Sequence, residues 1–127
     1  MKKLSLKQIL VLHELEIKKH GGSSDVRDMG MLESAINRPF ATYGGNDLYP
    51  NLFLKCGALI QSIVKNHPFI DGNKRTAFTS AYITLKTNGI EITAESAQVV
   101  KFMMSVANRN LSVDEIAKWL KEHSQLL

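Results

Sequence analysis

The chain contains a single cysteine, Cys56. No intrachain disulfide can form, and a lone thiol in an apolar stretch fits a reducing compartment and an inert, buried role. There is no run near the roughly 18 unbroken apolar residues that a membrane span needs. The N-terminus, Met1-Lys2-Lys3-Leu4-Ser5, begins basic but passes into an amphipathic pattern with Lys7, Gln8, His13 and Glu14, which is not a signal-peptide core. A cytoplasmic protein without membrane contact is the expectation. The net charge is +4, yet there is no basic tail, no cationic stripe at helical spacing and no aromatic interleaving, so direct nucleic-acid binding is not expected. No His, Cys and carboxylate spacing suggests zinc. His13, His20 and His123 read as surface residues, and Met29, Met31, Met103 and Met104 as core filler or helix surface.

What is present is helical periodicity nearly throughout. With 127 residues the chain fits one domain, 1–127, able to bury roughly two-thirds of its unfolded surface. Ser5 and Gln8 have capping-box spacing before a helix over 5–19, which Gly21-Gly22 ends. Asp28 caps a short helix carrying Leu32, Ala35 and Ile36 that stops near Pro39. Residues 40–49 centre on Gly44-Gly45-Asn46-Asp47 and read as a turn, the tip of a short hairpin. From about 47 to 66 the chain is apolar on almost every face, the mark of a buried central helix. Further helices are expected over 74–88, closed by Asn88-Gly89, over 94–107, and from Ser112, boxed by Glu115. The fold class is all-α, a bundle of about six helices without repeats or linkers.

The two most apolar helices are joined by a strongly polar loop. His67, Asp71, Asn73, Lys74 and Arg75 fall within nine residues, and polar groups converging on the heart of a bundle must find partners. Gly72 or Asn73 stands where the next helix begins, and the free N–H groups and dipole there form an anion site that Gly72, lacking a Cβ, leaves approachable. Lys74 and Arg75 occupy the first turn, where the dipole disfavours cations by up to about 1 kcal/mol each, unless a bound polyphosphate reverses the penalty. Asp71 is a hard oxygen donor suited to Mg²⁺, and His67 can take the proton of an attacking hydroxyl. Together these groups describe transfer of a phosphoryl-containing group from a nucleotide. Singly, each has a plainer reading: a core histidine, a turn with its N-cap, solvated cations.

The run His67-Pro68-Phe69-Ile70-Asp71-Gly72-Asn73-Lys74-Arg75-Thr76-Ala77 resembles the Fic/Doc signature. Leu32-Glu33-Ser34-Ala35, followed by Arg38-Pro39, is similar to that family's upstream helix. The resemblance implies the six-helix Fic/Doc fold, His67 as general base, Asp71 as Mg²⁺ ligand, and Gly72, Asn73, Lys74 and Arg75 as nucleotide-phosphate contacts. It implies that Phe69 points into the core to hold the loop in shape. Tyr43, Gly44 and Gly45 would form a flap that pins an extended piece of target.

Members that transfer AMP carry Gly-Asn-Gly-Arg and a second arginine three residues on, where this chain has Lys74 and Phe78. Asn73-Lys74-Arg75-Thr76-Ala77 is instead similar to the Doc, or death-on-curing, branch. That likeness implies a toxin of a toxin–antitoxin pair, a protein kinase that moves the γ-phosphate of ATP to a threonine of elongation factor Tu and blocks translation. The Ser/Thr-x-x-x-Glu-Gly/Asn element by which many Fic proteins inhibit themselves is missing, since Thr87 and Glu91 are followed by Ile92. A separate, Phd-like antitoxin whose disordered tail folds onto the toxin is therefore expected. The alternatives are a Fic-type adenylyltransferase, a non-catalytic nucleotide-binding module and an RNA-directed toxin.

Overall fold

The computed structural model describes all of residues 1–127. Four of its six helices start where a short polar side chain accepts a free N–H. Ser5 accepts from Gln8 at the head of α1 (Leu6–His20), within a full capping box. Asp28 accepts from Met31 at α2 (Met29–Asn37), and Asn51 from Leu54 at α3 (Leu52–Asn66). α4 spans Asn73–Thr87, α5 Ser96–Asn108 and α6 Val113–Glu122. Ser112 and Glu115 box the start of α6, and those bonds from Ser112 hold the Glu115 carboxyl below its ordinary range. No helix is long and apolar enough to cross a membrane.

α3 is the centre. Every residue from Lys55 to Ile63 is buried, and the helix packs against α2, α4, α5 and α6. The main core joins Ile60 and Ile63 to Ala77, Ala81 and Leu85 of α4, Phe102 and Val106 of α5, and Ile116 and Leu120 of α6. Burial pushes the Cys56 thiol up to about 12, which makes it inert. The polar residues within α3 are paired. Lys55 Nζ donates to Asp47 Oδ2 at 3.1 Å and to the Tyr49 carbonyl at 2.6 Å, while Gln61 Nε2 donates to the Leu111 carbonyl at 2.9 Å. A second, smaller core joins Ile9, Leu32, Ile36 and Phe69.

The all-α expectation holds, with two differences in detail. The central helix starts at Leu52, not near 47, because Asp47 belongs to a hairpin strand and Asn51 supplies the cap. The expected hairpin is present, formed by β1 (Thr42–Tyr43) and β2 (Asn46–Asp47), with Gly44 and Gly45 both at positive φ. A second ribbon, β3 (Ile90–Ile92) with β4 (Ser124–Leu126), closes the chain's end over α4 and was not foreseen.

Gly57 sets how closely α6 approaches α3, since a Cβ there would lie 2.9 Å from the Val113 carbonyl oxygen. Gly57→Val should therefore lower stability by about 2 kcal/mol through overpacking. Urea unfolding measures this, and an unchanged midpoint would mean that the two helices are not in contact as described.

Candidate active site

The loop from His67 to Gly72 has no ladder of its own, and its backbone is held by residues from three directions. From the α1–α2 connection, the Arg27 and Asp28 N–H groups donate to the Pro68 carbonyl at 2.7 and 3.0 Å. The Ile70 N–H donates to the Asp25 carbonyl at 3.2 Å. The Arg27 guanidinium donates from Nε to the His67 carbonyl at 2.6 Å and from Nη2 to the Asn66 carbonyl at 2.7 Å, covering the exposed end of α3. That cover matters because His67 is left-handed, at φ 48° and ψ 55°, a conformation worth about 1 kcal/mol of strain in an L-residue.

From α4, Asn73 closes the loop on itself. Its Oδ1 accepts the Phe69 N–H at 3.0 Å, and its Nδ2 donates to the Phe69 carbonyl at 2.9 Å. The side chain of Asn73 is thus a buried clamp on both backbone groups of Phe69, and its backbone N–H has no partner within the chain. From α1, His13 stacks on Phe69 with ring centroids 3.7 Å apart and donates from Nε2 to the Asp71 carbonyl at 2.8 Å. Phe69 is fully buried. His13, expected on the surface, is 1% exposed. The signal was in the sequence: Ile9, His13 and Ile17 recur every four residues, and all three are buried. Nothing in the sequence singled out Arg27.

Gly72 begins α4 at φ 79°, with no side-chain cap, and the first N–H of the helix to pair is that of Thr76, on the Gly72 carbonyl. A Cβ on Gly72 would meet Ile17 Cδ1 at 3.1 Å and the His13 ring at 3.6 Å. The glycine is needed for its positive φ and for this approach to α1, a different reason from the room for phosphate that its lack of a Cβ suggested. The N-terminal N–H groups of α4 remain open beside Lys74 and Arg75, both exposed. Asp114 and Glu115 in the first turn of α6 and Lys18, Lys19 and His20 in the last turn of α1 follow the helix dipole, whereas Lys74 and Arg75 stand against it in the first turn of α4.

A cleft of about 370 Å³ lies over this helix start, lined among others by His67, Asp71, Gly72, Asn73, Lys74 and Arg75. The structure thus brings all six site residues read from the loop together. Asp71 is exposed and accepts the Ser23 N–H on Oδ2 at 2.7 Å, which orients the carboxylate and leaves Oδ1 without a partner in the chain. One free carboxylate oxygen beside an anion site suits Mg²⁺, which takes one or two carboxylates together with substrate phosphates. Phe78 lines a separate, more apolar groove of about 280 Å³ with Val100, Met103 and Met104, which Lys74 and Arg75 border from the cleft side. Tyr43, Gly44 and Gly45 do not line the cleft. Their hairpin is tied to the first turn of α3 through Asp47 and Lys55, and a polar groove lined by Ala41, Arg38, Ser62 and Asn66 lies between hairpin base and loop.

The clamp assignment has a direct consequence. Asn73→Ala should destabilise the chain by about 2 kcal/mol, because it leaves a buried N–H and a buried carbonyl of Phe69 unpaired. A urea midpoint equal to that of the native chain would instead mean that the Asn73 side chain is free to serve a ligand.

The sequence model of the Fic/DOC family matches residues 3–85, which contain the loop and every residue that clamps it. Toxin Doc of Mycolicibacterium smegmatis is 43% identical over 99 residues, 76% of each chain. Protein kinase doc of Escherichia phage P1 is 28% identical over 121 residues, 95% of this chain and 94% of the phage protein. With the family model covering residues 3–85, the loop included, and a relative 43% identical over 76% of the chain, the chain belongs to the Fic/DOC family.

Proposed function

We propose that the chain is a Doc-like toxin of a toxin–antitoxin pair that moves the γ-phosphate of ATP to a hydroxyl of a cytoplasmic protein. The observation that carries this reading is one cleft holding both a histidine and the open, doubly cationic start of a helix. The names of the two relatives, a toxin and a protein kinase, agree with it.

The phosphates would rest on the N–H groups at the start of α4, with Lys74 and Arg75 neutralising their charge. Mg²⁺, when bound, would draw charge from the phosphates, and Asp71 Oδ1 is the group placed to hold it. The imidazole of His67 takes the proton as the target oxygen bonds to the γ-phosphorus. The bond from that phosphorus to the β–γ bridging oxygen breaks, and ADP leaves. Base catalysis of this kind contributes roughly 10²–10⁴ in rate. Lys74 lines the cleft where AMP-transferring members carry glycine, and Phe78 faces the apolar groove, so the nucleotide pose of those members is disfavoured.

By family likeness the target is a threonine of elongation factor Tu, held along the polar groove lined by Arg38, Ala41, Ser62 and Asn66, with the Tyr43–Gly45 tip as its flap. A Phd-like antitoxin helix fits the apolar groove beside Phe78 and Met104, where it would reach Lys74 and Arg75 and shut the cleft.

The test incubates the purified chain with Mg²⁺ and bacterial lysate, comparing γ- with α-labelled ATP. Label from the γ position only, falling at least about a hundredfold in His67→Ala, is the expected result. Label from the α position would establish AMP transfer instead, and ATP binding without any label would leave a binding module.

A further inference from the structure

His13 lies outside the signature, yet it touches the loop at the one peptide whose direction matters most to an anion. Its Nε2 donates to the Asp71 carbonyl at 2.8 Å, and because a carbonyl only accepts, that nitrogen carries the hydrogen. The chain has no cis peptide, so the Asp71 C=O and the Gly72 N–H point in opposite directions across their shared plane. With the carbonyl drawn inward to α1, the Gly72 N–H is turned away from α1. It finds no partner within the chain, and Gly72 lines the cleft.

Gly72 makes this hold necessary. At φ 79° the residue sits in a region that glycine occupies about as readily as its mirror image, so the plane before it can turn over at little energetic cost. A turned plane would present a carbonyl oxygen to the cleft, and an oxygen repels phosphate. The local sequence does not choose between the two states. His13 does, and its own ring is fixed by a near-parallel stack on Phe69, at 8° between planes.

We propose that His13 is a positioning residue for the phosphate site, holding the Asp71–Gly72 peptide so that the Gly72 N–H faces the bound anion. The proposal rests on the nucleotide-cleft reading given above. It separates the two properties of the imidazole, its flat face and its donor. His13→Phe keeps a ring over Phe69 and removes the donor. His13→Gln keeps an N–H of similar reach and removes the ring.

The experiment measures Mg·ATP affinity by calorimetry and melting temperature for the native chain and both variants. His13→Phe should melt above His13→Gln yet bind Mg·ATP about tenfold more weakly than the native chain, the effect of losing one hydrogen bond to a charged group. His13→Gln should recover most of the affinity in spite of its lower melting temperature. Affinities that simply follow the melting temperatures, or a His13→Phe that binds like the native chain, would overturn the proposal while leaving the nucleotide reading in place. No binding of Mg·ATP by the native chain would remove both. A second readout needs no variant: on titration with inorganic pyrophosphate, the Gly72 amide proton of the native chain should shift downfield. A Gly72 resonance that stays still while those of Lys74 and Arg75 move would also overturn it.

Discussion

A loop that holds polar groups open between two helices must obtain its rigidity from outside itself, because no ladder of backbone bonds runs through it. Here that rigidity depends on Phe69. Its side chain is fully buried with Ile9, Leu32 and Ile36, and both of its backbone groups are paired by Asn73. Burying such a side chain contributes about 2 kcal/mol, and each buried backbone group left unpaired would cost about as much. With Phe69 fixed, the residues on either side have little freedom. His67 lies at the end of α3 two residues earlier, and Asp71 reaches the cleft two residues later.

His67 and Gly72 are both left-handed, one at the end of α3 and one at the start of α4, so the chain turns sharply at each edge of the cleft. Histidine does not favour that conformation, and the Arg27 guanidinium, bonded to the last carbonyls of α3, offsets the penalty. Glycine tolerates it, but at the price of a soft peptide plane that α1 then holds. The polar segment between α1 and α2 has the same purpose: Ser23, Asp25, Val26, Arg27 and Asp28 all touch the loop. The site is built by three parts of the chain, α1, the α1–α2 connection and the signature run, and the signature supplies one of them.

This division explains what could be read in advance. The helices were legible because caps such as Ser5, Asp28 and Ser112 act within three residues, and the buried run through Ile60 and Ile63 shows a central helix without any partner in view. The loop was legible because His67, Asp71, Lys74 and Arg75 are close in sequence and of one chemistry. Asn73 was recognised as a site residue, but its side chain serves Phe69, a role that depends on the loop's closed shape. His13 and Arg27 act across 58 and 40 residues respectively, and no local pattern carries such a contact. The β3–β4 ribbon is beyond reach for a related reason, since three alternating residues look alike in a strand and in a loop.

The central claim is that the loop is set before any ligand arrives, with its inner N–H groups paired and its outer ones open. Amide hydrogen exchange on the free chain tests this residue by residue. The Phe69 and Ile70 amides should exchange as slowly as those of the buried stretch of α3, whereas the Gly72, Lys74 and Arg75 amides should exchange fast and slow down when Mg·ATP is added. If Phe69 and Ile70 instead exchanged as fast as the exposed tip of the 42–47 hairpin, the loop would be mobile and ordered only by its ligand, contrary to the claim.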